Sequence, residues 1–411
     1  MADTALGQPA IRWGPVVLAV TLVQAVLAAA SRALPVLGMP LTQSAGMSPE
    51  AVGQFSSASS LGSMLFFLWG PTVLARLTSV QQLRVGCAVV GVSLLLCISG
   101  QWHLMLFAAL VIGIGYGPGT TAGSELLMRV VPQRRRGTIF SIKQAGVPLG
   151  GAVAGLLLPL IALHAGGVGA ALVSVAVLAF LAVLVLGVWK GRVDDAPVRA
   201  NTSLRDVMMA PILMVGTLFR SSRLRRLTLA GFALGASQSV VMGFFPVFLS
   251  DHAGYSLAAA GAAFALLQGT GIGGRVAMGW VSDWLGDPMR ALGGLCLMSG
   301  GCMALLATIG PDSAVWWVAA LSVLAGLGTV SWNGVLLTGL AEAAPKGRVG
   351  AVTAAGTFVL FSGYVFFPLV FQFIFERTEG YATGLILAGL VPALTGIVII
   401  LTPTQGRAGA S

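Results

Sequence analysis

The residues GIGYGPGTTAGSELLMRVVPQRRRG at positions 113–137 recur in altered form at positions 326–350, as GLGTVSWNGVLLTGLAEAAPKGRVG. The two segments lie 213 residues apart. Both open with Gly-X-Gly and close with a proline, basic residues and a glycine in the same register. Chance explains such agreement poorly. The pattern therefore predicts that the chain is built from two parallel repeats.

The composition identifies the solvent around these repeats. Of the 411 residues, 56% are hydrophobic and only 9% are charged, and the mean hydropathy is +0.92. A soluble chain carries about 25% charged residues, so this chain cannot cover a water-facing surface with polar groups. The composition excludes a soluble multidomain enzyme, and the high apolar content excludes a disordered chain. Lipid is the predicted solvent.

Twelve apolar segments are each close to the ~20 residues that cross the hydrocarbon core of a bilayer. The longest polar stretch separates the sixth segment from the seventh, and its part near 208–218 is apolar enough for an interfacial helix. We therefore predict an N-terminal bundle at 1–189, a cytoplasmic linker at 190–226 and a C-terminal bundle at 227–411. The predicted spans are 14–38, 51–75, 85–101, 104–128, 138–163, 167–189, 227–249, 257–282, 291–310, 314–340, 350–374 and 382–402.

The basic residues set the predicted orientation. Of the 23 Lys and Arg residues, 19 fall on one side of the membrane and only Arg377 falls on the other. The positive-inside rule then places both termini in the cytoplasm, with the chain in a bacterial-type inner membrane. The net charge of +10 is thus a topology signal, and it gives no reason to expect nucleic acid as a partner. Three basic residues remain inside the spans: Arg32, Lys143 and Arg275.

A loop motif joins spans 8 and 9. The residues GWVSDWLG at 279–286 contain Gly279, Asp283 and Gly286, whereas the corresponding N-terminal stretch GPTVLAR at 70–76 has leucine in place of the acid. Together with the division of the spans into six and six and with the repeat, this motif resembles the G-x-x-x-D-x-x-G signature of the major facilitator superfamily. The resemblance covers the whole chain.

The resemblance implies an all-α membrane protein with 12 transmembrane helices in two six-helix bundles. It also implies a secondary transporter in which the two bundles rock around a central site. In that family the loop acid caps and pairs neighbouring helix ends and so locks the outward-open state. Only Asp283 is expected to serve in this way here, so we predict an asymmetric lock.

Arg275 is the leading candidate for a substrate contact. It lies eight residues before Asp283, which is about 12 Å deeper along a helix, so it should face a watery cavity. The spacing resembles span 8 of monocarboxylate and oxalate transporters, in which the arginine binds the substrate carboxylate. A planar fork of donors suits a carboxylate. The alternative is a structural bond to a glutamine or a backbone carbonyl of a neighbouring helix.

The coupling mechanism is left open by the same resemblance. Proton-coupled monocarboxylate carriers place an acid one turn before the span 8 arginine, and here that position is Gly271. This departure puts proton coupling by that route in doubt. A proton can still travel with the substrate, or the carrier can exchange one anion for another.

The other two intramembrane cations each have two interpretations. Arg32 in span 1 matches the position of a basic residue in monocarboxylate carriers, but it lies near the outer face, where it can serve as a gating charge. Lys143 stands in the run IKQAGVPLGG at 142–151, which resembles bacterial carriers of the cyanate-permease-like group. It is predicted either to pair with Glu125 of span 4 or to take a lower binding or gating role.

Uncharged polar and aromatic residues complete the candidate cavity. Each is also a candidate for hydrogen bonding between helices, which is the commoner role of polar groups inside a membrane. Asn333 and Trp332, in the central part of span 10, are the favoured pair. The full set is Gln24, Tyr116, Gln144, Gln238, Gln268, Trp332, Asn333 and Tyr364.

The sequence predicts no enzyme site. It has no phosphate-binding loop after a strand, and its three histidines and four cysteines have no metal-ligand spacing, so we expect neither a cofactor nor a metal. The predicted function is transport of a small organic anion by alternating access, through either proton symport or anion exchange. We expect the transporter to work as a monomer, with protons as a second partner in the symport alternative. One alternative is a proton-driven drug or metabolite efflux pump, although such pumps usually carry a central acid. A second is a transporter-like ligand sensor.

Overall fold

The computed structural model describes residues 13–74, 76–132, 136–189, 193, 215–216, 218–219, 221–345, 349–378 and 380–402. Within these residues the regular structure is entirely helical. Helices stand at all twelve predicted spans, and we number them α1 to α12 accordingly. Their bounds are Trp13–Val36, Val52–Val73, Ser79–Leu96, Trp102–Val130, Arg136–His164, Gly167–Gly187, Ser222–Asp251, Leu257–Leu285, Pro288–Leu306, Val315–Val330 with Asn333–Ala343 for α10, Val349–Thr378, and Tyr381–Leu401.

Eleven of these helices, with α10 taken as one, are long and apolar enough to cross a membrane. The remaining helix, α2, has a span's length but is rich in small polar residues. Its first half contains Gln54 and the serines at positions 56, 57, 59, 60 and 63. A helix of this composition is suited to packing among other helices, because small residues let helix backbones approach closely.

Sequence-local signals set several helix ends on the side that the charge pattern assigns to the cytoplasm. The Thr78 side chain accepts from the backbone of Gln81, whose side chain accepts in turn from the backbone of Thr78, so that a capping box begins α3. Asp287 accepts from the backbone N–H of Met289 and begins α9. Gly286 ends α8 in the left-handed region at φ 63°, where glycine is favoured.

The repeated Gly-X-Gly runs serve the same packing purpose in the two halves. A Cβ on Gly113 of α4 would overlap the carbonyl group of Ser59 on α2, and a Cβ on Gly326 of α10 would overlap that of Leu267 on α8. At the second glycine of each run a Cβ would first meet a side chain, that of Val90 on α3 for Gly115 and that of Cys302 on α9 for Gly328. Glycine is required at Gly113 and Gly326 because the helix backbones are in direct contact there.

The helix packing follows the repeat. In the N-terminal half α1 packs on α5, α2 on α4, and α3 on α6; in the C-terminal half α7 packs on α11, α8 on α10, and α9 on α12. The two halves meet along α5–α8 and α2–α11, which are equivalent contacts under the same symmetry. The fold is therefore the predicted pair of six-helix bundles with a central interface.

The interface is closed at the outer ends of its helices, as the charge pattern orients them. Gln54 at the start of α2 contacts Gln372 near the end of α11 at 3.4 Å, and Trp102 donates to the Gln54 side chain at 3.0 Å. The Tyr381 hydroxyl of α12 donates to Asp251 of α7 at 2.9 Å. The contact of Gln54 with Gln372 thus joins the two halves, and the contact of Tyr381 with Asp251 joins two helices of the C-terminal half. Both lie at the ends of the helices that the charge pattern assigns to the outside.

Most of the predicted linker, with its interfacial helix at 208–218, lies outside the described residues. Its end is earlier than predicted, because α7 begins at Ser222 and not at residue 227. The added residues include Arg223, which lies 3.4 Å from Glu342.

Candidate functional site

Four side chains from four helices meet near the middle of the interface. They are Arg32 of α1, Tyr116 of α4, Arg275 of α8 and Tyr364 of α11, two from each half. Each arginine interacts electrostatically with both tyrosines, and the two arginines repel each other. Arg32 belongs to this cluster although its Cα lies in the outer part of α1, because helical side chains lean toward the helix N-terminus, here toward the membrane centre.

The Arg275 guanidinium uses little of its donor capacity. Its Nη1 donates to the backbone carbonyl of Gln144 on α5 at 3.3 Å, which is the kind of structural bond expected as the alternative role. Its Nε is buried and has no hydrogen-bond partner. A guanidinium has five N–H donors, so one long bond leaves most of the fork available to an anion.

The Arg32 guanidinium has no hydrogen bond or ion pair among the described residues. Two cations in low dielectric without a counter-charge cost several kcal/mol, and the described part of the interface offers no carboxylate at this depth. Arg32 and Arg275 together therefore form a positively charged site that a bound anion would neutralise. The tyrosine hydroxyls beside them can donate or accept, as a bound carboxylate requires.

Three glutamines around the interface have buried amide atoms without partners. Both polar atoms of Gln24 on α1 are in this state, as are the Oε1 atoms of Gln238 on α7 and Gln268 on α8. A buried unsatisfied polar group costs about 1–3 kcal/mol, so three such groups near one interface favour a polar occupant. Gln268 also packs on Gly151 of α5, where a Cβ would collide with its amide, so it joins the two halves.

An aromatic row extends the cluster toward α2. The Tyr364 ring lies 5.4 Å from that of Phe361, which lies 5.1 Å from that of Phe67. These centroid distances are typical of favourable aromatic pairs. Sequence reasoning did not select Phe67 or Phe361, because phenylalanine in an apolar span carries no signal that separates an interface position from a lipid-facing one.

Span 10 differs from its expected form. The helix is interrupted between Val330 and Asn333, and Trp332 is completely buried in the core of the C-terminal half, where its Nε1 donates to the Thr329 carbonyl at 2.9 Å. Trp332 is thus a packing residue, and we leave it out of the proposed site. Asn333 is half-buried, and no hydrogen bond joins it to either arginine in the described structure.

The predicted ion pair between Lys143 and Glu125 is absent, which corrects that interpretation. Glu125 accepts from Arg129 at 2.6 Å and from Ser79 at 3.2 Å. Lys143 donates instead to the carbonyl of Thr120 and to other groups of α4. The reason is helical geometry: residue 125 is rotated about 100° from residue 124, and only the latter faces α5.

The loop acid at the end of α8 also differs from expectation. The Asp283 side chain is exposed and neither caps a helix nor forms an ion pair within the described residues. Asp287 does both: it caps α9 and lies 4.0 Å from Arg223 and 3.9 Å from Arg290. The sequence held a signal for this, since Asp followed by Pro is a helix-start pattern. Gly279 is unobstructed, and Gly286 terminates α8.

Two curated relatives align over most of the chain. An uncharacterized MFS-type transporter of Mycobacterium tuberculosis, Rv2994, is 29% identical over 349 residues, which are 83% of this chain and 74% of that protein. A probable L-galactonate transporter of Escherichia coli K12 is 23% identical over 393 residues, which are 90% of this chain and 85% of that protein.

Solved structures of similar fold come from other transporters. A peptide transporter POT in complex with sulfate has a TM-score of 0.80 at 14% identity over 95% of both chains. A bacterial homolog of the human lysosomal transporter Spinster, in an inward-facing and unoccupied conformation, has a TM-score of 0.71 at 16% identity over 94% of this chain and 95% of that one. At such identities the likeness shows the fold alone.

The family model for the Major Facilitator Superfamily matches residues 20–368, which is most of the chain. The match includes all four residues of the central cluster. It covers every helix except the start of α1, the end of α11 and the whole of α12. It agrees with the twelve helices, the repeated packing and the similar solved structures. The chain belongs to the Major Facilitator Superfamily of membrane transporters, and it is not an enzyme.

Proposed function

We propose that this protein is a secondary transporter that moves a small organic anion, with a carboxylate as the first candidate, by alternating access. Arg275 and Arg32 hold the anion, one from each half, and Tyr116 and Tyr364 donate to it. Because the two arginines belong to different halves, an anion between them links the halves and is released when they separate. The transporter works as a monomer in the inner membrane with both termini in the cytoplasm.

The single observation that carries this proposal is the unneutralised pair of arginines. Arg32 and Arg275 interact with each other and with two tyrosines, and no carboxylate of the described residues pairs with either. A protein core tolerates such a pair only at a cost, because the charges repel and are desolvated. A bound anion removes that cost. Gln24, with both amide atoms unpartnered, supplies further polar contacts.

The name of one relative supports a carboxylate as the substrate class. The Escherichia coli protein is named a probable L-galactonate transporter, and galactonate is a sugar carboxylate. L-galactonate is therefore a reasonable first ligand, together with small monocarboxylates such as lactate and pyruvate. A monocarboxylate matches one guanidinium fork.

A thermal-shift screen of the purified protein in detergent tests the proposal. Carboxylates are expected to raise the melting temperature, since a ligand at 100 times its Kd stabilises a protein by about 2.7 kcal/mol. Arg275→Ala should reduce the shift to about half or less at the same ligand concentration, because binding is weakened at least about tenfold. Arg377→Ala is the matched control, because Arg377 is exposed at the outer end of α11 and contacts only the ring of Phe373 at 4.7 Å.

The contrary outcomes are equally clear. Stabilisation by organic cations but by no carboxylate would contradict the anion proposal and favour the efflux-pump alternative. Stabilisation by carboxylates without any flux in proteoliposomes would favour the ligand sensor. Loss of the shift in both Arg275→Ala and Arg377→Ala would mean that the effect does not come from the central site.

A further inference from the structure

Lys143 is a buried cation that the anion site does not use. It lies on α5, seven residues after the helix begins at its cytoplasmic end, and its side chain is 1% exposed. Its Nζ donates to the carbonyl of Thr120 at 2.9 Å and to the hydroxyl of Ser124 at 2.7 Å. The ammonium form has three donors, so two acceptors leave one N–H without a partner.

No carboxylate neutralises Lys143 within the described residues. Glu125 is adjacent to Ser124 in sequence but is engaged by Arg129 and Ser79. An unpaired ammonium in a membrane interior costs several kcal/mol, and a primary amine can remove this cost by releasing its proton. The ionisable groups on the neighbouring helices, none of which bonds to Lys143 within the described residues, are Arg32 on α1, Arg84 and Cys87 on α3, His103, Tyr116, Glu125 and Arg129 on α4, and Arg275 and Asp283 on α8.

A polar row connects Lys143 to the arginine cluster. Tyr116, Thr120 and Ser124 recur every four residues and so share one face of α4. Tyr116 interacts with Thr120 and with both arginines, and Lys143 contacts the next two members of the row. Gln24 of α1 stands beside the same row. Contiguous polar groups of α4 thus run from Lys143 to the arginine cluster.

We infer that Lys143 is the proton-binding residue that couples anion movement to protons, making the transporter a proton symporter. The inference rests on the proposed function. In the outward-facing state the neutral ε-amine gains one proton from outside water, and in the inward-facing state the ammonium releases one proton to cytoplasmic water. Only an N–H bond forms and breaks. One proton with one monocarboxylate makes the transport cycle electroneutral.

Proteoliposomes containing the full-length protein test this inference with radiolabelled L-galactonate and lactate as probes. With one pH unit more acid outside, the wild-type protein should accumulate a symported monocarboxylate up to about tenfold, the limit for one proton per anion. Lys143→Gln should lose this accumulation. It should retain counterflow exchange of the same probe within about twofold, because exchange needs no net proton movement.

Two further substitutions separate proton binding from a structural bond. Lys143→Arg keeps a cation and its donors but cannot release a proton, so a structural role predicts full rescue and a proton-binding role predicts none. Lys143→His restores a titratable group and should restore part of the accumulation. Arg377→Gln is the matched control and should behave as the wild type.

A milder variant covers the case in which substitutions of Lys143 do not fold. Ser124→Ala retains the lysine and removes one acceptor of its ammonium form. It should move the pH midpoint of uptake to lower pH, because the protonated form is less favoured. An unchanged midpoint would overturn the inference.

The failures of the two proposals are distinguishable. Proton-driven accumulation by Lys143→Gln or Lys143→Arg would overturn the coupling role while leaving the anion site intact. Counterflow by the wild type without any response to the pH gradient would also overturn it and would indicate anion exchange. If the wild type neither binds nor exchanges any carboxylate, the proposed function itself is wrong and the coupling role is lost with it.

Discussion

The two copies of the repeat share their packing but differ in their polar residues. α4 is one continuous helix of 29 residues, whereas its equivalent α10 is divided after Val330 and resumes at Asn333. Gly113 and Gly326 nevertheless make the same backbone contact with α2 and α8. The difference shows that the contacts that build the bundle are held in common, while the polar residues of α4 and α10 are not.

The helices that follow make the contrast sharper. At the shared offset of 213 residues, Ser124 corresponds to Leu337 and Lys143 corresponds to Gly356. In the N-terminal half the serine and the lysine are hydrogen-bonded. In the C-terminal half the glycine lies against Leu340 in an apolar contact. The N-terminal half thus holds the buried Lys143 in addition to Arg32 of the central cluster, whereas the equivalent of Lys143 in the C-terminal half is an apolar contact.

The largest expected effect tests the shared packing. Gly113→Val and Gly326→Val should each destabilise the protein by about 3 kcal/mol or more, because the added side chain overlaps a backbone that cannot move alone. Thermal unfolding in detergent, followed by tryptophan fluorescence, measures both. A cost in one half only would break the proposed equivalence of the two contacts.

Gly269→Ala on α8 is the control for this experiment. A Cβ at position 269 has no atom within 4 Å, and alanine is favoured over glycine in a helix by about 1 kcal/mol. The variant should match or exceed the wild-type stability. A loss as large as that of Gly326→Val would mean that glycines are needed for a reason other than close contact.

The next effect concerns the arginine that each half contributes. Arg275→Ala and Arg32→Ala should each weaken carboxylate binding by about 1.5–3 kcal/mol, which is roughly tenfold to 150-fold in Kd, because each removes a charge-assisted bond. Isothermal titration with a carboxylate found by the thermal-shift screen measures this. If Arg32→Ala binds within twofold of the wild type, Arg32 is a gating charge and the site belongs to the C-terminal half.

A smaller effect tests the buried hydrogen bond of the N-terminal half. Ser124→Ala should destabilise the protein by about 1–2 kcal/mol, because Lys143 loses an acceptor in a buried place. Ser174→Ala is the matched control, since Ser174 on α6 donates only to the Ala171 carbonyl of its own helix. Chemical or thermal unfolding of both variants gives the difference. Equal stabilities would show that the Lys143–Ser124 hydrogen bond contributes nothing to the free energy of unfolding.

The smallest effect is expected for two partly exposed ion pairs, one in each half. Glu125 pairs with Arg129 in one half, and Glu342 lies 3.4 Å from Arg223 in the other, in both cases with largely exposed side chains. Glu125→Gln and Glu342→Gln should each cost less than about 1 kcal/mol, and the cost should shrink with added salt. A larger cost in either half would indicate that its corner is a structural lock.

The fold was predictable because hydrophobicity, charge and repetition all act over many residues. The twelve spans depend on runs of about 20 apolar residues, and the match of α4 to α10 depends on glycines that permit close contact. The break in α10 was not predictable. Residues 331–332 are Ser-Trp, which is neither a proline nor a glycine signal, and the break depends on how Trp332 packs in the core.

The candidate site was predictable in its charges but not in its pairings. Arg32 and Arg275 stood out because arginines within spans are rare, and the structure brings them together. Of the two roles predicted for Lys143, the pair with Glu125 is not formed, because one residue of helical rotation decides whether position 124 or 125 faces α5. Contacts of this kind depend on the relative rotation of two helices, which the residues of either helix alone do not determine.

The contact between α5 and α8 has a consequence for motion. There Gly155 and Gly261 stand so close that a Cβ on either would meet the carbonyl oxygen of the other. Side chains interlock beside this point, because Pro159 of α5 lies over Gly261 and Gln268 of α8 lies over Gly151. A turn of one half against the other about this backbone contact must therefore move Gln268 away from Gly151, so the α5–α8 contact contributes to the barrier between states together with the outer contact of Gln54 and Gln372.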